Sequence, residues 1–151
     1  MHTPAEVVAR RWFDEVWNHG NEATIDDLFS PDCFAYGLGE NEGHVHGPEE
    51  FKVFYRNMRS AFPDVHIHVE DVVAEEGKAA VRVVLEGTHL GEGLGMPPTG
   101  NRVKVAGIVV ISVAGGQIVS GWNSWDQLGL LRQVEAPAVH DGVDRFLTAR
   151  G

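Results

Sequence analysis

The hydrophobic period of this chain changes once, at Pro63, and that change limits the folds open to it. Before Pro63, apolar residues recur at helical spacing: Ala5, Val8, Ala9, Trp12, Phe13, Val16 and Trp17, then Phe51, Phe54, Tyr55, Met58 and Phe62. After it come four runs rich in β-branched residues, Val65–Ala74, Ala79–Leu90, Arg102–Ala114 and Gln117–Trp125. Glu76-Gly77-Lys78 and Gly115-Gly116 read as tight hairpin turns. Gly91–Asn101 is a longer connection with two prolines. Helices segregated from an antiparallel sheet define an α+β class. Helices 1 and 3 each carry one apolar face, so both belong on the same side of the sheet. A curved sheet closing over them makes a cone with an apolar interior, a usual place for a small ligand.

Local signals set the boundaries. Thr3, Pro4 and Glu6 form a helix start, and Gly20 suits its end. A short second helix, about Glu22–Phe29, stops at Ser30-Pro31, and Cys33–Leu38 reads as a strand. Gly39–His46 is a polar loop, and Pro48 opens the third helix. A last helix, Gln127–Gln133, follows the fourth run, with Ser124 and Gln127 as its capping box. One domain over 1–134 is expected, with a weakly patterned tail over 135–151 that holds a stub helix at Gly142–Ala149.

Charge excludes some partners. Twelve Lys and Arg against 22 Asp and Glu give a net charge of -10, which repels nucleic acid and anionic membrane surfaces. No uncharged apolar run approaches the roughly 20 residues that a bilayer requires, and the N-terminus lacks a signal-peptide layout. The lone Cys33 excludes an intrachain disulfide and a Cys-only zinc site. The expected setting is the cytoplasm.

Several phrases then combine. They are Arg11-Trp12-Phe13 with Trp17-Asn18, Phe62-Pro63-Asp64, Gly87-Thr88-His89-Leu90-Gly91-Glu92, Pro97-Pro98-Thr99-Gly100, and Asn123-Ser124-Trp125-Asp126 running into Leu128-Gly129-Leu130-Leu131. In this order and spacing the chain resembles the SnoaL-like polyketide cyclases, of the nuclear transport factor 2-like superfamily, over about Val7–Gln133. The resemblance implies the cone fold and acid/base chemistry on a small hydrophobic carbonyl compound without a cofactor. It further implies ring closure by an intramolecular aldol step. The family's acid, just before the terminal Leu-Leu segment, falls on Asp126.

Side-chain chemistry adds to this. Asp126 has apolar neighbours, and burial there would make a carboxylate a usable base near neutral pH; it equally suits the first turn of the last helix. His89 shares its strand face with Val81, Val83, Leu85 and Gly87, which aims it at the cavity mouth as a donor to a carbonyl oxygen. Tyr36 is the other candidate for holding an enolate oxygen. Trp122 and Trp125 are expected as substrate-binding walls, with Leu94 and Met96 as a rim. The pairs His44-x-His46 and His66-x-His68 lack a third ligand at metal-site spacing, so no metal is expected. The Arg102–Ala114 strand is apolar on both faces, which predicts a homodimer. Two alternatives stand beside the cyclase reading. One is an epoxide hydrolase, for which Arg82 and Glu86 share a face that should point outward. The other is a non-catalytic small-molecule-binding domain.

Overall fold

Thr3 opens the first helix: its hydroxyl accepts the Glu6 N–H at 3.2 Å, and Pro4 sits where no N–H is needed. The computed structural model describes residues 2–38 and 43–137, so the stub helix expected at Gly142–Ala149 lies outside the described residues. Helix α1 (Pro4–Arg11) continues without a break as a π-helical segment, Trp12–Asn18. Helical spacing predicts an α-helix throughout, and the wider turn has a consequence. At 100° per residue, Trp12 and Trp17 would point about 140° apart. Bonding from i to i+5 instead stacks residue i+5 over residue i, and both rings face the same interior space.

Two further helices follow, α2 (Ala23–Leu28) and α3 (Gly47–Ala61). Ion pairs Lys52–Asp26 (2.8 Å) and Arg56–Glu22 (2.7 Å) clamp α3 to the α2 region. The Tyr55 hydroxyl donates to the Val16 carbonyl at 2.8 Å, fixing α3 against the π-helical segment.

Six strands form one sheet: β1 (Phe29–Tyr36), β2 (His44–His46), β3 (His66–Ala74), β4 (Lys78–Thr88), β5 (Arg102–Ala114) and β6 (Gln117–Trp125). Their order is β2-β1-β6-β5-β4-β3. All neighbours are antiparallel except β1 and β6, which run parallel. The four long runs fall where their periodicity places them. Two details differ from expectation. The strand read as Cys33–Leu38 begins earlier, at Phe29, because the ladder tolerates Pro31 inside a register irregularity between Phe29 and Phe34. His44–His46, read as loop, pairs with β1 opposite Phe34–Tyr36. Helix α4 (Gln127–Glu135) closes the described fold and packs on β5.

Side chains pin the sheet to the helices. Asn18 acts as an extra strand residue at the edge of β3: its amide nitrogen donates to the Ile67 carbonyl (2.8 Å) and its oxygen accepts the Ile67 N–H (2.7 Å). Asp64 accepts both the Thr88 N–H (2.7 Å) and the Thr88 hydroxyl (2.8 Å), locking the start of β3 to the end of β4. Burial acts to raise the Asp64 pKa, but these two bonds and the nearby Arg102 outweigh it and hold the carboxyl below its ordinary range. Removing the Asn18 pair leaves two backbone groups of Ile67 unpaired. Asn18→Ala should therefore cost about 1–3 kcal/mol, read as a lower midpoint in chemical denaturation with an unchanged slope.

A candidate active site at the mouth of the cone

The inward faces of helices and sheet enclose a cavity of about 340 Å³. Trp12, Trp17, Phe29 and Phe51 wall one side, and Val105, Val109, Ile111 and Ile118 the other. The polar side chains on its lining are Asn57, Asn123, Asp126 and Gln127. Among the described residues lining it, Asp126 is the one acidic or basic side chain.

Asp126 stands where β6 ends and α4 begins. It is exposed at the mouth, which corrects the expectation of an apolar burial site. It is also the N-cap of α4, with Oδ1 accepting the Gly129 N–H at 2.8 Å. The expected Ser124–Gln127 capping box is not the cap. One carboxylate oxygen is thus committed to the helix, and the group remains on the cavity lining. Gly129 makes this possible, because a Cβ at that position would run into the Asp126 carboxylate.

The other expected site residues divide. Trp125 lines the cavity, its ring lying against Gly107 of β5 with Nε1 donating to Asn123 Oδ1 at 3.4 Å. Leu94 lines it from the rim loop, whereas Met96 packs partly buried against the core and is not on the lining. Tyr36 and Trp122 do not reach it. They stack on each other at 4.2 Å on the outer face of the sheet, with Trp122 57% exposed. Arg82 and Glu86 are off the cavity too, and Glu86 pairs with His68 at 2.7 Å.

His89 faces inward as expected but is off the cavity lining, and it is 0% exposed. Its Nδ1 accepts the Thr99 N–H (3.2 Å) and lies 3.0 Å from the Thr99 hydroxyl. An accepting Nδ1 puts the ring proton on Nε2, and Nε2 has no hydrogen-bond partner among the described residues. The ring packs 5.7 Å from that of Phe62. The residue holds the rim loop through Thr99 and is not on the lining.

Three amides join the lining without being expected there, Gln127 having been expected only as part of a helix cap. Asn123 donates to the Tyr36 carbonyl at 3.0 Å, and Gln127 to the Gly37 carbonyl at 3.3 Å, so both tie the end of β1 to the β6–α4 junction. Asn57 enters from α3. Asn123 was accessible to alternation, since it lies two residues before Trp125 and shares its face. Among the described residues no group of three or more His, Cys, Asp or Glu is placed to hold a metal ion. Burial pushes the Cys33 thiol up to about 12, away from nucleophilic use.

The glycine beneath Asp126 gives a direct check on this geometry. Replacing Gly by Ala inside a helix ordinarily gains roughly 1 kcal/mol. Gly129→Ala should show no such gain, because the new methyl displaces the capping carboxylate. Thermal melts should give an unchanged or lower Tm.

The family profile of the SnoaL-like polyketide cyclases matches residues 7–134. The aklanonic acid methyl ester cyclase DnrD of Streptomyces peucetius is 30% identical over 139 residues, covering 91% of this chain and 94% of that protein. The nogalonic acid methyl ester cyclase of Streptomyces nogalater is 29% identical over 123 residues, covering 80% and 90%. A crystal structure assigned to the SnoaL-like cyclases, from Jannaschia sp. CCS1, superposes with a TM-score of 0.80 at 26% identity, covering 89% of this chain and 93% of that one. Domain span, fold and relatives agree, and the chain belongs to the SnoaL-like polyketide cyclase family.

Proposed function

We propose that this chain is a cofactor-independent ring-closing enzyme acting on a small hydrophobic carbonyl compound, with Asp126 as the group that takes and returns the proton. The observation that carries this reading is that Asp126 is the one carboxylate on the lining of a mostly apolar cavity, among the described residues. The relatives named as cyclases of aklanonic and nogalonic acid methyl esters supply the reaction class.

The step balances within one molecule. The carboxylate removes a proton from a carbon next to a carbonyl, leaving an enolate. The enolate carbon bonds to a second carbonyl carbon of the same substrate, whose π-electron pair becomes an alkoxide. The alkoxide then takes the proton back from Asp126. Developing negative charge on oxygen calls for fixed donors. Asn123 and Gln127 spend one amide N–H each on the Tyr36 and Gly37 carbonyls and keep a second for this role. The aromatic and aliphatic walls supply binding, and Leu94 covers the rim.

Asp126→Asn tests the assignment, because Asn keeps an oxygen for the helix cap while losing the base. Turnover should fall by on the order of 10²–10⁴, with ligand binding and Tm little changed. Asp126→Ala removes the cap as well and should cost about 1 kcal/mol of stability besides. Normal turnover in Asp126→Asn would replace this reading with a non-catalytic binding domain.

We also infer a homodimer through the outer face of the sheet. Register pairing lines up Val73, Ala80, Val110, Trp122, Tyr36 and His44 in one row across all six strands. Val73 is 70% and the adjacent Ile108 51% exposed in the isolated chain. An apolar row of this extent marks an interaction surface. Sedimentation should give twice the 16.5 kDa chain mass at micromolar concentration, and Trp122→Asp should shift it toward the single chain. The reading includes a cytoplasmic setting, which a single buried cysteine fits.

A further inference from the structure

Two hydrogen-bond donors on the buried part of the cavity lining are unpaired among the described residues. Trp12 and Trp17 are 7% and 6% exposed, and both line the cavity. Each carries an indole N–H, which donates and cannot accept. Trp125 spends its own on Asn123, but those of Trp12 and Trp17 meet no protein acceptor among the described residues. Of the described side-chain polar atoms that are fully sealed, only His89 Nε2 lacks a partner. The two indole nitrogens are therefore not sealed, and the open space beside these buried rings is the cavity. The rings are held in place. Both pack on Phe51, at centroid separations of 5.0 and 6.3 Å, and Trp12 also meets Phe29 at 5.8 Å. The π-helical turn stacks Trp17 over Trp12, so both donors belong to one wall. The other buried residues of the lining, among them Phe29, Phe51, Ile111 and Ile118, carry no side-chain nitrogen or oxygen.

An unpaired donor in an apolar wall is a place for an acceptor, because a ligand oxygen that leaves water there regains the bond it lost. The chemistry of the wall narrows the acceptor. The described lining holds no cation, so a carboxylate buried there would stay uncompensated. Its buried side chains offer no acceptor either, so a hydroxyl would use its oxygen and leave its hydrogen without a side-chain partner. A neutral carbonyl has lone pairs and nothing to donate. We propose that the indole N–H groups of Trp12 and Trp17 hold a carbonyl oxygen, of a ketone, ester or quinone, on the part of the ligand that enters the buried lining. This deepens the reading of the mouth, with Asp126, as the reacting end. It gives the substrate a further carbonyl, separate from those that react, which is bound and not transformed. The two indoles are then positioning groups.

A symmetric pair of probes tests this without turnover. 2,6-Diacetylnaphthalene carries a carbonyl at each end, and 2,6-diisopropenylnaphthalene has the same shape with CH2 in place of each oxygen. Either end can enter first without changing what reaches the indoles. Binding is followed by the emission of Trp125, which lines the cavity and stays in every variant used for binding. Replacing Trp12 and Trp17 together by Phe keeps an aromatic wall and removes both N–H groups. Lost packing falls on both probes alike, so the ratio of their affinities isolates the hydrogen bonds. The ratio of diketone to diene affinity should fall by about threefold to tenfold for each bond removed, and Trp12→Phe and Trp17→Phe singly divide the loss between the two. A second readout keeps both indoles and covers poor folding of these variants. The four tryptophans of the chain give four indole N–H proton signals, and Trp122→Phe and Trp125→Phe identify those of Trp12 and Trp17 by exclusion. The ring current of the naphthalene is common to both probes, so the diketone should move a Trp12 or Trp17 signal further downfield than the diene does. An unchanged affinity ratio in the folded double variant, identical indole shifts with the two probes, or no saturable binding of the diketone to the unaltered protein would overturn the proposal. Both readouts are taken at equilibrium, so loss of the acid/base assignment through Asp126→Asn turnover leaves this result standing, and the reverse also holds.

Discussion

The architecture depends on a cluster of aromatic rings that serve as core and cavity wall at once. Trp12 and Phe29 each meet Phe51, at centroid separations of 5.0 and 5.1 Å, and Trp17 meets Phe51 at 6.3 Å and Tyr55 at 5.1 Å. Tilted and edge-on contacts at these distances are favourable in themselves. Their rigidity matters more. A core of flexible aliphatic chains would close on an empty space of this size, since interiors pack to high density. Here the rings are braced by one another and by the Tyr55–Val16 hydrogen bond. The π-helical turn puts both tryptophans on one wall, and the sheet curves around what they leave open.

At the mouth, the proposed chemistry and the structure draw on the same groups. Asp126 caps α4 and lines the cavity. Asn123 and Gln127 hold the end of β1 and present their remaining amide hydrogens. Groups with a structural partner are already oriented before a substrate arrives, which is the preorganisation that stabilisation of developing charge requires. The cost is that no variant at these positions touches function alone, and Asp126→Asn separates the roles only because Asn can still cap.

The parts of this fold that were legible from sequence are those set by periodicity. The four long strands lie where their β-branched runs place them, although β5, apolar on both faces in sequence, does not by itself mark Val105, Val109 and Ile111 as the set that lines the cavity. Alternation also explains the errors. Trp122 and Trp125 are three residues apart on one strand, so they point to opposite faces and only one of them lines the cavity. Tyr36 has the opposite parity to the buried Cys33 and Ala35. His89 was assigned the correct face, but the face does not say how far the cavity extends, and here the rim loop closes over that end. The short strand β2 and the parallel β1–β6 pair carry no local signal, because each depends on partners distant in sequence.

The phrases that carried the family resemblance prove mostly to be connectors. Asn18 joins the π-helical segment to β3, Asp64 joins β3 to β4, and His89 joins β4 to Thr99. The last of these links leads to the mouth of the cavity. The Thr99 hydroxyl accepts the Asn101 N–H at 3.3 Å. Asn101 in turn donates its amide to the carbonyls of Gln133, Val134 and Ala136, at 3.2, 2.9 and 2.8 Å, which satisfies the free carbonyls at the C-terminal end of α4. Asp126 accepts the Gly129 N–H at the other end of the same helix. The buried imidazole and the carboxylate at the mouth thus belong to one hydrogen-bonded path, with α4 as its rigid segment. A histidine off the cavity lining is thereby linked to the helix whose cap stands on it.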